Sequence, residues 1–106
     1  MKKIFLDIQY GRGKNAKGYI LDISRGGIGL VCNKKIITNS LIGMKATEKI
    51  LPDLKGKVAY IVLRQDKAYK FHLGVKFIPF NKKDKQKLEK FVHKIEQRKA
   101  VRLSLI

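Results

Sequence analysis

This chain has little with which to do covalent chemistry. One cysteine, Cys32, among 106 residues excludes a disulfide framework. Its place in the apolar run Ile28-Gly29-Leu30-Val31 predicts a buried, inert thiol, and such sparing use of cysteine fits a reducing compartment, so a cytoplasmic location is expected. The two histidines, His72 and His93, stand far apart without cysteine or acidic companions at ligand spacing, which predicts structural roles and no metal site. No Ser-His-acid set and no paired carboxylates at a recognised spacing occur, so the chain is not expected to be an enzyme or to need a cofactor. Gly11-Arg12-Gly13-Lys14 lacks the Ser or Thr and the following helix of a phosphate loop, and is read as a hairpin turn. No apolar stretch is long enough to span a bilayer, and Asp7 and Gln9 interrupt the apolar start before it could act as a signal, so no membrane insertion is expected. Acidic residues are scarce too. Eight Asp and Glu face 25 Lys and Arg, a net charge of +17, which favours anionic partners. Charge sign alone does not choose between such a partner and a merely well-solvated surface.

What is present reads as a folded, mainly β chain with one core over residues 1–106. Hydrophobic residues at 44% and charged residues at 31% argue against wholesale disorder, and there are no repeats or low-complexity tracts. Residues 3–10 alternate, with Ile4, Leu6, Ile8 and Tyr10 on one face. Residues 11–16 turn the chain into a strand over 17–23, and residues 24–27 feed a short apolar strand ending at Cys32. Residues 33–39 and 43–57 show little period beyond a possible strand over 42–46 and a turn at Pro52-Asp53. Val58, Tyr60, Val62 and Arg64 then alternate with Ala59, Ile61 and Leu63. After a turn at Gln65-Asp66-Lys67, Tyr69, Phe71, Leu73, Val75 and Phe77 line one face of a second strand. Past Pro79 the period becomes helical: Asn81 caps, Asp84 sits in the first turn, and Leu88, Phe91, Val92 and Ile95 form an apolar stripe. Strands followed by a terminal helix predict a small β-barrel that the helix plugs or flanks.

The most informative run is Asp22-Ile23-Ser24-Arg25-Gly26-Gly27, between two predicted strands. Its short polar side chains and glycines can turn one strand into the next while leaving carboxylate, hydroxyl and backbone N–H groups free for an anionic or polar ligand. The alternative is a plain hairpin in which Asp22 and Ser24 only bond neighbouring backbone N–H groups. Gly27 is expected to hold a backbone conformation closed to other residues, and Gly26 to add flexibility. Arg25 is read either as an extra phosphate contact or as a solvent-facing turn residue.

Asp22-x-Ser24-x-x-Gly27 after a strand, Leu73-Gly74-Val75-Lys76-Phe77 in a late strand and a Lys-rich terminal helix together resemble the PilZ domain family over nearly the whole chain. The resemblance implies a six-stranded antiparallel barrel, about residues 2–80, with a helix and arginine motif over 81–106, and binding of the bacterial second messenger cyclic di-GMP. The family places an Arg-x-x-x-Arg element before its first strand, where this chain has Met1-Lys2-Lys3. The same spacing stands at Arg98-Lys99-Ala100-Val101-Arg102, followed by Leu103-Ser104-Leu105, so the order resembles a permuted or exchanged arrangement. The ligand's phosphodiesters and guanine edges suit the planar guanidinium forks of Arg98 and Arg102. By the same resemblance Asp22 accepts from guanine N1 and N2, and Ser24 bonds base or phosphate.

The function expected from this reading is a cyclic di-GMP receptor whose arginine segment orders on binding and alters a surface seen by a partner protein. An alternative is a homo-oligomer formed by exchange of the C-terminal segment. Two further readings stay open: a basic barrel that binds nucleic acid, on the strength of the charge, and a degenerate PilZ scaffold serving protein contacts alone.

Overall fold

A computed structural model describes residues 3–47, 51–64 and 68–104, with side chains described as far as residue 95. Its strands are β1 (Phe5–Tyr10), β2 (Lys14–Ile23), β3 (Gly27–Cys32), β4 (Leu41–Ala46), β5 (Leu54–Leu63) and β6 (Phe71–Phe77), followed by α1 (Lys82–Ser104). The strands close into an antiparallel barrel in the order β1-β2-β3-β6-β5-β4, with β4 paired back onto β1. Closure removes the open sheet edges that would otherwise invite aggregation. The expected mainly β barrel with a C-terminal helix is therefore what the chain forms.

Alternation places the core. Leu6 and Ile8 from β1, Leu30 and Cys32 from β3 and Leu73 and Val75 from β6 are buried inside the barrel. Residues between strands, Ile36 and Leu51, fill the same cluster, and α1 adds Leu88, Phe91 and Val92. The helix begins where expected: Asn81 Oδ1 accepts from the Asp84 N–H at 2.8 Å, and Asn81 O from the Lys85 N–H at 3.0 Å. The first bond satisfies an N–H that a helix terminus leaves orphaned, and the second is the first regular bond of the helix.

Several boundaries differ from the expectation. The β1–β2 turn occupies only residues 11–13, because Gly11 and Gly13 adopt φ of 57° and 66° and so reverse the chain within a loop too tight for other residues. The segment over 43–57 that showed little period holds most of β4 and the start of β5, which begins at Leu54 rather than Val58. Tyr69 precedes β6 and packs edge-on against Tyr19, ring centroids 5.3 Å apart, instead of sharing the inward face. The expected turn at Gln65-Asp66-Lys67 lies outside the described residues.

A larger difference concerns Val58, Tyr60 and Val62, which alternation alone puts on one face. Val58 pairs with Val75 and Tyr60 with Gly74, so Ala59 is an extra residue in β5. This bulge reverses the phase: Val58 points in, while Tyr60 and Val62 emerge 48% and 51% exposed. A matching bulge at Leu21 in β2 lies between the pairs Ile20–Leu30 and Asp22–Gly29. Without it Asp22 would share the inward phase of Ala16, Gly18 and Ile20.

Two outcomes follow for the core. Leu88→Ala should lower unfolding free energy by about 2–5 kcal/mol in urea titration, whereas Lys87→Ala, on the exposed face one residue earlier, should stay within about 0.5 kcal/mol. Equal effects would show that α1 does not complete the core. Cys32 is fully buried, donates to the Lys34 carbonyl at 3.1 Å, and burial pushes its thiol pKa up from 9.0. At pH 8 a thiol reagent should therefore modify it only as fast as the native state opens, with full reactivity restored in denaturant.

Candidate functional site

The loop from Ser24 to Gly26 links β2 to β3. Its conformation is set by one side chain, since Ser24 Oγ accepts from the N–H groups of Gly26 and Gly27, each at 3.3 Å. The Ser24 N–H donates to the Gly27 carbonyl at 2.9 Å, and the Phe77 N–H to the Gly26 carbonyl at 3.0 Å. The loop is thereby tied to itself and to β6. These bonds correct one expectation: the glycine N–H groups are not free for an anion, because Ser24 already occupies them.

Gly27 is required for a different reason from the one expected. Its φ is not in the left-handed region; a Cβ there would lie 2.5 Å from the Val75 carbonyl oxygen. The glycine permits close approach of β6 and does not supply an unusual turn. Gly26 has nothing within 4 Å of a Cβ position.

Asp22 stands on the outer face of the barrel, turned there by the Leu21 bulge. Its Oδ1 accepts from the Gly29 N–H at 3.0 Å, while Oδ2 has no partner among the described residues. The carboxylate lies against Gly29, where a Cβ would come within 2.5 Å of Oδ1. Bulges that re-aim a side chain beside a site recur in barrels, and here the carboxylate is oriented by one oxygen and open at the other. Gly29, unremarked as a site residue in sequence, carried one signal: a third glycine two positions past Gly27, in mid-strand, where only close backbone or side-chain approach justifies it.

The next residue across the sheet from Gly29 is Gly74, and Tyr60 of β5 lies against it so closely that a side chain there would collide with the ring. Beside them His72 packs its ring edge-on to Tyr60, centroids 5.7 Å apart at 71°. His72 Nε2 is buried without a hydrogen-bond partner among the described residues.

Arg25, exposed at the loop tip, opens onto a cleft of about 320 Å³ shared with Gly26, Lys76, Phe77, Lys85 and Glu89. Cationic groups thus dominate this side of the loop. Arg98 and Arg102 lie one turn apart near the end of α1; their side chains fall outside the described residues. Asp22, Ser24, Arg25, Gly26 and Gly27 are therefore brought together on one loop, and the arginine pair is located by its backbone only.

No cluster of metal-ligating side chains occurs among the described residues, and none of their helices is long and apolar enough to cross a membrane. A family model for the PilZ domain matches residues 4–94, and the chain belongs to the PilZ domain family, a family of binding and adaptor modules. No curated protein matches the chain. The matched span stops short of Arg98 and Arg102.

The two loop glycines should separate in the laboratory. Gly27→Ala must displace the Val75 carbonyl and should cost about 1–3 kcal/mol, whereas Gly26→Ala should change stability by no more than about 0.5 kcal/mol. Urea denaturation of both variants decides, and an unaffected Gly27→Ala would discard the close-approach explanation.

Proposed function

We propose that this protein is a cyclic di-GMP receptor. The observation that carries the reading is the outward Asp22 carboxylate, held by Gly29 through one oxygen and open at the other, on the loop of a PilZ domain. Such an acceptor suits the adjacent N1–H and N2–H donors of a guanine edge, Oδ2 accepting one and the second lone pair of Oδ1 the other. Ser24, whose Oγ accepts from the Gly26 and Gly27 N–H groups and donates to the Gly27 carbonyl at 3.4 Å, supports the loop.

The phosphodiesters require cations, and the loop's own N–H groups are occupied. Arg25 and Lys76 border the adjoining cleft, and Arg98 and Arg102 supply the planar forks that grip phosphate or guanine O6 and N7 bidentately. Ligand captured between the Asp22 loop and the arginine segment changes the surface around the end of α1. That change is the signal a partner protein or a second copy reads. Ligand favours whichever arrangement of the segment it binds more tightly.

Calorimetry with cyclic di-GMP tests this directly. The parent should show saturable binding, and Asp22→Ala and Arg98→Ala should each weaken it by roughly 10- to 100-fold, as loss of a charge-assisted contact implies. Mixing the two variants distinguishes delivery of the arginines within one chain from delivery by another copy, since only the latter restores tight sites. The charge of +17 favours a second reading, polyanion binding. Absence of saturable dinucleotide binding, together with steeply salt-dependent binding of long RNA or DNA, would replace the first reading with the second.

A further inference from the structure

The carboxylate that reads a base edge does not by itself hold the base's flat faces. A seat for one of them lies beside Asp22. Asp22, Gly29, Gly74 and Tyr60 form one row across β2, β3, β6 and β5 on the outside of the barrel. Each outer residue leans over the glycine next to it, Asp22 onto Gly29 and Tyr60 onto Gly74. Cross-strand Cβ positions are about 4.5–5.5 Å apart, so the carboxylate and the phenol ring stand within roughly 10 Å of each other over a floor with no side chains. Any other residue at Gly29 or Gly74 would collide with the carboxylate or the ring that lies there.

Tyr60 is positioned for this by the Ala59 bulge and steadied by the edge of His72, yet remains 48% exposed. A buried aromatic would be explained by the core, and a freely exposed one by chance. This ring is fixed on one side and open on the other. Covering Gly74 alone does not need an aromatic, since an aliphatic side chain could shield the same backbone.

We infer that Tyr60 is the stacking platform for the guanine whose donor edge is accepted by Asp22. The inference rests on the cyclic di-GMP reading and names the part of the site that reads the base's face. A π face at that distance from the carboxylate lets one base form in-plane hydrogen bonds at its edge while its plane rests against the ring. The two glycines let the carboxylate and the ring lie down on the sheet, and the ring's exposed side is open to a base.

The chain contains no tryptophan, which makes the test direct. Tyr60→Leu keeps a cover over Gly74 but removes the π face, and should weaken cyclic di-GMP binding by about 5- to 100-fold in calorimetry, the range of one lost stacking contact. Val62→Ala, exposed two residues along the same strand, should bind like the parent. Tyr60→Trp should retain binding, and its sole indole should be quenched saturably with the dissociation constant found by calorimetry. If the parent binds while Tyr60→Leu binds equally well, or the indole of Tyr60→Trp shows no quenching, the stacking role is overturned and the receptor reading stands. If the parent itself shows no saturable binding, both fall. Should Tyr60→Leu fail to fold, as judged by its thermal melt, the quenching of Tyr60→Trp still decides.

Discussion

A β-strand sends alternate side chains to opposite faces, so an uninterrupted strand of this barrel would carry Asp22 inward with Ala16, Gly18 and Ile20. It would carry Tyr60 inward with Leu54 and Val58. Asp22 does not fit there: an unpaired carboxylate in an apolar core is prohibitively costly. One extra residue in each strand, Leu21 and Ala59, reverses the phase at the position that matters. The inward series resumes at once with Ile23 and Ile61, both partly buried against the core. Each bulge therefore turns Asp22 or Tyr60 outward and leaves the interior filled. The rest of the outer face around the Asp22 loop depends on this pair of phase reversals.

The glycines between the bulges are the complement. Gly29 and Gly74 pair across β3 and β6, where a strand would ordinarily prefer β-branched residues. Glycine in a strand interior forfeits packing and raises the entropy cost of folding. The loss is offset where the neighbouring side chain lies down on the bare backbone, as Asp22 does with a hydrogen bond and Tyr60 with its ring. In the carboxylate's case the same contact fixes the orientation of the side chain.

How much of this was legible in the sequence differs by element. The inward faces of β1 and β6 and the stripe on α1 follow from simple periods, because burial on one side forces them. Asp22-x-Ser24-x-x-Gly27 was equally visible as the link between two strands. The phase reversals were not, since a bulge adds a residue without changing composition: Val58, Tyr60 and Val62 look like one face until their partners on β6 are known. The start of β5 was hidden because Leu54, Gly56 and Val58 occupy its buried face while lysines 55 and 57 occupy the other. A glycine in that inward series weakens the apolar signal. Gly27 was assigned the wrong constraint for a related reason. A glycine needed for close approach and one needed for positive φ look identical until the opposing carbonyl, here that of Val75, is located.

Hydrogen-bond accounting in the loop bears on what it can recognise. Ser24 Oγ already receives two N–H groups, and the Ser24 N–H is spent on the Gly27 carbonyl. The loop thus retains no backbone donors at Gly26 or Gly27 with which to cradle a phosphate, unlike the nests that bind anions through successive N–H groups. What it presents is an acceptor, the open oxygen of Asp22. An acceptor beside a phosphodiester is repulsive unless cations intervene, so on the proposed reading the loop would meet the guanine edge and not the phosphates. Phosphate recognition must come from side chains outside the Ser24 to Gly27 turn or at its tip. On the proposed reading, a carboxylate for the base and cationic side chains for the phosphates would divide the work, because the loop's own N–H groups are already bonded.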